Sequence, residues 1–180
     1  MTLADAVASV RTLVVIPVEA KDVDSAIARV NEFDPTMLSG LVLACKTKQL
    51  ATWLAGRVPS ALLRVVSPKP QSVIRAAFGL GASSVLLSSP KVVWNTHVPA
   101  MLAGSELTMA CDVTMMVNAA EDAPDPSMIF FRNTPGVNAA LLAAGLSTKD
   151  LDVGLLPHSL VAPSFEAGAS DPDCPAYKMA

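Results

Sequence analysis

Continuous apolar runs alternate with segments of helical periodicity over the first half of the chain. Residues 12–18 form a largely β-branched run, and residues 41–45, 62–66 and 84–88 form similar runs. Such runs are typical of strands buried on both faces of a parallel sheet. The segments between them predict amphipathic helices over 21–33, 47–55 and 70–80. This alternation predicts an α/β fold with a mixed, mainly parallel sheet flanked by helices on both faces.

The regular alternation of predicted strands and helices ends after Trp94. Residues 107–117 and 128–131 predict two further strands, separated by an acidic, proline-containing loop over 121–126. Thr134 can cap a following helix with Pro135 in its first turn, and residues 137–146 supply an apolar helix body. From Ala167 onward Gly, Ser, Asp and Pro dominate. We therefore predict one α/β domain over residues 1–166 and a loosely ordered tail over 167–180.

Composition narrows the classes of function. Hydrophobic residues make up 52% of the 180 residues and charged residues only 16%, so either the core is large or much of the surface meets a protein partner. The net charge is -3 and the thirteen Lys and Arg are scattered along the chain, which argues against a nucleic-acid binder. No apolar run is long enough to span a membrane, and the N-terminus lacks the pattern of a signal peptide. We expect a soluble protein and leave its compartment open.

Neither the cysteines nor the histidines form a recognised chemical motif. The three cysteines show no CxxC spacing, so we predict buried thiols at Cys45 and Cys111 and neither a disulfide framework nor a zinc site. His97 and His158 are far apart and lie near no nucleophile motif. The glycines of residues 79–81 follow a predicted helix and precede a strand, which predicts a helix stop rather than a phosphate-binding loop.

Residues 81–94 read GASSVLLSSPKVVW. This segment resembles the central motif of the nucleotide-diphospho-sugar transferases of plants, algae and protists, which are GT-A type glycosyltransferases. In that family a strand ends in Asp-x-Asp, followed by two apolar residues and Trp. Residues 109–112 and 128–135 are similar to later strands and a helix of the family, and residues 155–157 with 165–168 are similar to its closing segment. The resemblance implies a GT-A fold in which Ser89, Pro90 and Lys91 fill the Asp-x-Asp positions.

This replacement bears directly on chemistry. Two carboxylates at i and i+2 on a strand end can hold a divalent cation such as manganese, which neutralises the diphosphate of a sugar nucleotide as it leaves. Ser89 and Lys91 cannot hold a cation in this way, so we expect no metal and no cofactor. Literal Asp-x-Asp strings occur at residues 22–24, 150–152 and 171–173. We predict that none follows a strand facing the crevice, and that the first supplies acids to a helix start.

Three hypotheses about function follow. We favour a degenerate, non-catalytic glycosyltransferase-like domain that serves as a structural or accessory subunit of a protein assembly. The alternative is an active glycosyltransferase with a metal-independent or rebuilt diphosphate site, in which Ser89, Lys91 and Asn133 contact the nucleotide sugar and Asp112 is the catalytic residue; manganese would be required only in the rebuilt case. A third is a regulatory module that binds a nucleotide or sugar without transfer. The partners implied are other protein subunits, and a nucleotide sugar under the second and third hypotheses.

Overall fold

A computed structural model of the protein describes residues 1–33, 35–59, 62–67, 69–92, 98–118, 123–143 and 153–157. Several residues singled out in the sequence fall elsewhere: Trp94, His97, His158 and Cys174 lie outside the described residues, as does the whole of the predicted tail over 167–180.

Seven strands of the described chain form one sheet in the order β3-β2-β1-β4-β6-β5-β7. The first four strands are parallel to one another, β6 is antiparallel to both of its neighbours, and β7 is parallel to β5. The predicted mixed, mainly parallel sheet is confirmed. The strands are β1 (Thr12–Val18), β2 (Leu41–Cys45), β3 (Leu63–Val66), β4 (Ser84–Ser88), β5 (Val113–Asn118), β6 (Ala123–Arg132) and β7 (Val153–Pro157).

Helices cover both faces of the sheet, as the alternation predicts. Short 3-10 helices at Ala20–Asp22 and Pro35–Gly40 supplement them. The α-helices of the described residues are α1 (Leu3–Ser9), α2 (Val23–Glu32), α3 (Lys48–Leu54), α4 (Pro70–Gly79), α5 (Val98–Gly104), α6 (Glu106–Ala110) and α7 (Pro135–Leu142).

The sheet separates two hydrophobic cores. On one face α2, α3 and α5 pack against the sheet, and on the other α1, α4 and α7 do so. The β1 side chains alternate between these cores, with Ile16 in the first and Leu13 and Val15 in the second. Burial on both faces explains why the β1 run is continuously apolar. Each such side chain stabilises the fold by roughly 1.5–3 kcal/mol.

Two expectations about the second half of the chain are wrong. The predicted strand over 107–117 begins only at Val113, because residues 106–110 form α6. Leu, Met and Ala favour a helix, and a short apolar run does not distinguish helix from strand by pattern alone. The loop predicted over 121–126 gives way to β6 at Ala123, where the two prolines are accommodated beside a register shift in β5 between Met115 and Met116.

The predicted thiol burial is confirmed in part. Cys45 is fully buried, and this burial raises the pKa of its thiol from an ordinary value of 9.0 to about 11. Cys111 is only half-buried, because it lies in the turn between α6 and β5 rather than within a strand.

Candidate functional site

The sheet order places a topological switch point between β1 and β4, and we call the carboxyl-end side of this point the crevice. From β1 the chain moves through β2 to β3 on one side, and β4 then pairs with the other side of β1. Ligands of open α/β sheets bind at the carboxyl ends of the strands at such a switch point. Two segments border this place: residues 19–22, which follow β1, and residues 89–92, which follow β4.

The segment after β4 is a tight turn. The Ser89 amide donates to the Ser127 carbonyl at 2.6 Å, which ties the turn to β6. The Ser89 hydroxyl accepts from the Lys91 amide at 3.3 Å, and the Ser89 carbonyl accepts from the Val92 amide at 3.1 Å. The amide, carbonyl and hydroxyl of Ser89 thus all form hydrogen bonds with backbone groups. The Lys91 side chain extends from the turn with 68% of its area exposed.

Lys91 faces the carboxylate of Asp22. Its Nζ lies 3.8 Å from Asp22 Oδ1, and the Asp22 side chain is only 12% exposed. Asp22 directly precedes α2, but its side chain makes no capping hydrogen bond. The prediction that this Asp-x-Asp string supplies acids to a helix start is confirmed, because Asp22 directly precedes α2 and Asp24 lies in its first turn. The prediction that it follows no strand facing the crevice is wrong, because Asp22 follows β1 and the carboxyl end of β1 borders the switch point. The position four residues beyond a buried strand was the signal that could have found it.

A second ion-pair group lies beside the first. Lys46, just after β2, donates to Glu19 Oε1 at 3.0 Å, and Lys21 Nζ lies 3.8 Å from Glu19 Oε2. The hydrogen bond from Lys46, followed by the charges of Lys46 and Lys21, lowers the pKa of Glu19. The carboxyl ends of β1, β2 and β4 therefore carry three lysines against two carboxylates.

Asp112 and Asn133 lie at the opposite edge of the sheet. Asp112 immediately precedes β5 and Asn133 immediately follows β6, so both lie near the start of β4, where Ser84 pairs with Arg132. Lys91 lies beyond the other end of β4. The expectation that these candidate residues contact one ligand at the carboxyl edge is wrong, because β6 runs antiparallel to β4 and delivers Asn133 to the amino edge.

The contacts of Asp112 and Asn133 are structural. Asp112 Oδ1 accepts from the Thr134 hydroxyl at 2.7 Å, and that hydroxyl also caps α7 as the sequence predicts. The Asn133 side chain donates to the Ala82 carbonyl at 2.8 Å and to the Phe78 carbonyl at 3.4 Å. These bonds join the end of α4 to the turn between β6 and α7.

The glycine turn after α4 is a helix stop, as predicted. Gly81 has φ +95°, the left-handed conformation typical of a helix C-terminus. The Ala82 amide donates back to the Ala77 carbonyl at 3.0 Å. The turn closes on α4 itself and lies at the amino edge, away from the crevice.

Within the described part of the chain, no three His, Cys, Asp or Glu side chains are grouped so that they could hold a metal ion. Asp22 and Glu19 each face lysine instead. Chemically, the crevice edge offers ammonium groups that can pair with an anion, and carboxylates that already have lysine partners. No helix among the described residues is long and apolar enough to cross a membrane.

No protein-family model and no curated protein sequence matches this chain. Among solved structures, it is similar to a CMP:2-keto-3-deoxy-manno-octonic acid synthetase complexed with CTP, at 10% identity and TM-score 0.48 over 84% of this chain and 91% of that one. This likeness is a partial likeness of fold, and so are the two that follow. Glucosyl-3-phosphoglycerate synthase from Mycobacterium tuberculosis, complexed with Mn²⁺, UDP and glucosyl-3-phosphoglycerate, has 13% identity and TM-score 0.46 over 87% of this chain and 74% of that one. S. aureus TarS 1–349 has 11% identity and TM-score 0.41 over 82% of this chain and 58% of that one.

Proposed function

We propose that this protein is a degenerate glycosyltransferase-like domain of GT-A type that does not catalyse sugar transfer and serves as an accessory or structural subunit of a protein assembly. One observation carries the proposal. Lys91 stands where the resemblance places the second carboxylate of Asp-x-Asp, and its ammonium lies 3.8 Å from the buried Asp22 carboxylate at the switch point.

The physical argument concerns charge. A catalytic cation must be held by carboxylates and must have open positions for the diphosphate. Here a lysine on the protein supplies the positive charge next to Asp22, so the carboxylate has its counter-ion without a metal. An ammonium has no empty coordination positions and cannot hold the two phosphates of a leaving group as a divalent cation does. The remaining use of such a domain is its shape and its surfaces.

A second candidate function is metal-independent binding of a nucleotide sugar. The observation in its favour is the exposure of Lys91 together with the nearby Lys21 and Lys46, since an ammonium can contact a phosphate directly as a point charge. Lys91→Ala and Lys46→Ala would then weaken nucleotide binding in the absence of metal. Under the accessory proposal the wild-type protein binds no nucleotide, so neither substitution changes the result.

The test is a transfer assay on the folded protein. Labelled nucleoside-diphosphate sugars are incubated with the protein and a panel of sugar and protein acceptors, in the presence of either Mn²⁺ or EDTA. We expect no turnover above buffer, and we expect native purification from the source cells to recover the chain with other proteins. Turnover that is lost in Lys91→Ala would establish that the protein is an active glycosyltransferase. A native chain that purifies as a lone monomer would remove the accessory role.

A further inference from the structure

Charge is distributed unevenly along the chain. Residues 35–105 contain no aspartate or glutamate but hold seven of the thirteen Lys and Arg. All sixteen acids therefore lie outside the stretch that forms β2, α3, β3, α4 and β4. The net charge of -3 therefore conceals a stretch of seven basic and no acidic residues, which includes α3 and β3 at one side of the sheet. We define the β3 flank as Lys48, Trp53 and Arg57 of the α3 region with Arg64 and Val66 of β3.

β3 is an edge strand in the described sheet, because only β2 pairs with it. The backbone N–H and C=O groups on its outer side are available to a further strand, which is a common way for a domain to bind an extended peptide. The strand is four residues long and Pro59 and Pro70 lie on either side, so an added strand would be short.

Arg64 is placed to select the charge of that strand. Leu63 and Val65 pack towards the core under α1 and α4, so Arg64 and Val66 point to the α3 face. Arg64 Nη1 is buried and donates no hydrogen bond to any described group. A buried donor without an acceptor costs about 1–3 kcal/mol. Because Nη1 is covered in the free domain, the Arg64 guanidinium turns outward to meet a carboxylate at this edge, and pairing there supplies the missing acceptor.

The neighbouring α3 surface has the features of a binding hot spot. The Arg57 guanidinium carbon lies 3.6 Å from the centroid of the Trp53 ring. Trp53 is 41% exposed and Val66 is 49% exposed. Tryptophan and arginine are the residue types that contribute most to protein interfaces.

We propose that the β3 flank binds a partner protein through an extended, acidic segment that adds a strand to β3, an inference that rests on the accessory role proposed above. A second copy of the chain does not suit this edge, since two-fold pairing of β3 would bring Arg64 close to its own counterpart. A nucleic acid would meet the positive charge but has no backbone that can pair with a strand edge. An acidic strand can pair with the open backbone groups of β3, accept a hydrogen bond from Arg64 and attract the basic side chains of the flank.

The test uses a fluorescein-labelled synthetic peptide of alternating Glu and Val and the full-length chain, with binding followed by fluorescence anisotropy. Three probes accompany it: the Lys-Val peptide, the Glu-Val peptide N-methylated at every second backbone nitrogen, and a single-stranded oligonucleotide of equal charge. We expect saturable binding of the Glu-Val peptide alone, weakening with salt as exposed ion pairs do. Equal binding of the N-methylated peptide, or tighter binding of the oligonucleotide, would overturn the proposal.

Variants locate the site. Arg57→Gln with Arg64→Gln should weaken the Glu-Val peptide about ten-fold, which corresponds to about 1.4 kcal/mol. The matched control, Arg11→Gln with Arg75→Gln, removes the same charge from exposed positions, with Arg75 on α4 at the opposite face of the sheet from α3, and should change binding less than about two-fold. Equal losses in the two pairs would show general attraction and overturn the proposal. The N-methylated peptide tests the same claim on the unmodified protein, so the proposal stays testable if the Arg64 variant fails to fold. Peptide binding is independent of sugar transfer, so the outcome is separable from that of the transfer assay.

Discussion

The ion pair between Lys91 and Asp22 can be reversed by introducing the Asp-x-Asp motif of the family that residues 81–94 resemble. The double substitution Ser89→Asp with Lys91→Asp places two carboxylates on the turn after β4, beside Asp22. The native Lys91 ammonium lies 3.8 Å from the Asp22 carboxylate. The variant removes this attraction and replaces it with repulsion among three acidic side chains.

The size of the effect follows from the distance and the exposure. Two unit charges about 4 Å apart interact by about 4 kcal/mol at an effective dielectric constant of 20. Lys91 is 68% exposed, so solvent screening reduces the native attraction to about 1 kcal/mol. Adding the repulsion, we expect the double variant to lose about 1–2 kcal/mol of unfolding free energy in EDTA.

The measurement is urea denaturation followed by tryptophan fluorescence, in EDTA and in Mn²⁺. If the three carboxylates bind the ion, Mn²⁺ at 100 times its dissociation constant should stabilise the double variant by about 2.7 kcal/mol. Ser89→Asn with Lys91→Asn is the matched control, because it removes the same lysine and adds no carboxylate, and it should show no gain. The reasoning is refuted if Mn²⁺ leaves the acidic variant unchanged, or if the wild-type protein gains as much.

Three further predictions concern residues whose contacts are defined. Asn133→Ala should destabilise the fold by about 1–2 kcal/mol, because it removes the side-chain bonds to two carbonyls at the end of α4; denaturant titration measures this loss, and an unchanged midpoint would contradict it. Gly81→Ala should cost about 1–2 kcal/mol because of the positive φ, whereas Gly79→Ala, at a helical position with open space, should be neutral or stabilising; a thermal melt of the two variants compares them directly. Because burial raises the pKa of Cys45 to about 11 from 9.0, the stability that this thiol contributes is complete below pH 9 and declines as the pH rises through 11. At pH 8 iodoacetamide should label Cys111 before Cys45 in the native protein, and mass mapping that finds the reverse order would contradict the burial.

The first half of the fold could be predicted because each strand is buried on both faces. Such strands read as continuous apolar runs, and β1, β2 and β4 have the predicted bounds. The same rule fails in the second half. There α6 is a short apolar helix, and β6 begins in an acidic, proline-containing segment whose pairing depends on a bulge in the neighbouring strand. The short strand β7 gave no pattern that was recognised.

The candidate site was predicted only in part. Lys91 and Ser89 lie at the carboxyl edge because they follow a parallel strand, which pattern alone could establish. Asp112 and Asn133 were misplaced because no sequence pattern shows that β6 is antiparallel. Asp22 was missed because an acid before a helix is so often a cap, and only the contact with Lys91 assigns it to the crevice.

The basic β3 flank could likewise be predicted from the sequence only in part. Counted over the whole chain, the Lys and Arg are scattered and the net charge is negative. The acid-free stretch from 35 to 105 was readable in the sequence. Its meaning depends on the sheet order, which brings α3 and β3 together at one side of the domain.

The central claim, which rests on the proposed function, is that the crevice does not hold a metal and a diphosphate. Calorimetric titration of the folded protein with a panel of nucleoside-diphosphate sugars, with and without Mn²⁺, tests it most directly. The account predicts no heat of binding that depends on Mn²⁺ for any member of the panel. Saturable, Mn²⁺-dependent binding that is lost in Asp22→Asn would contradict it, and would show that the carboxylate now paired with Lys91 is a metal ligand.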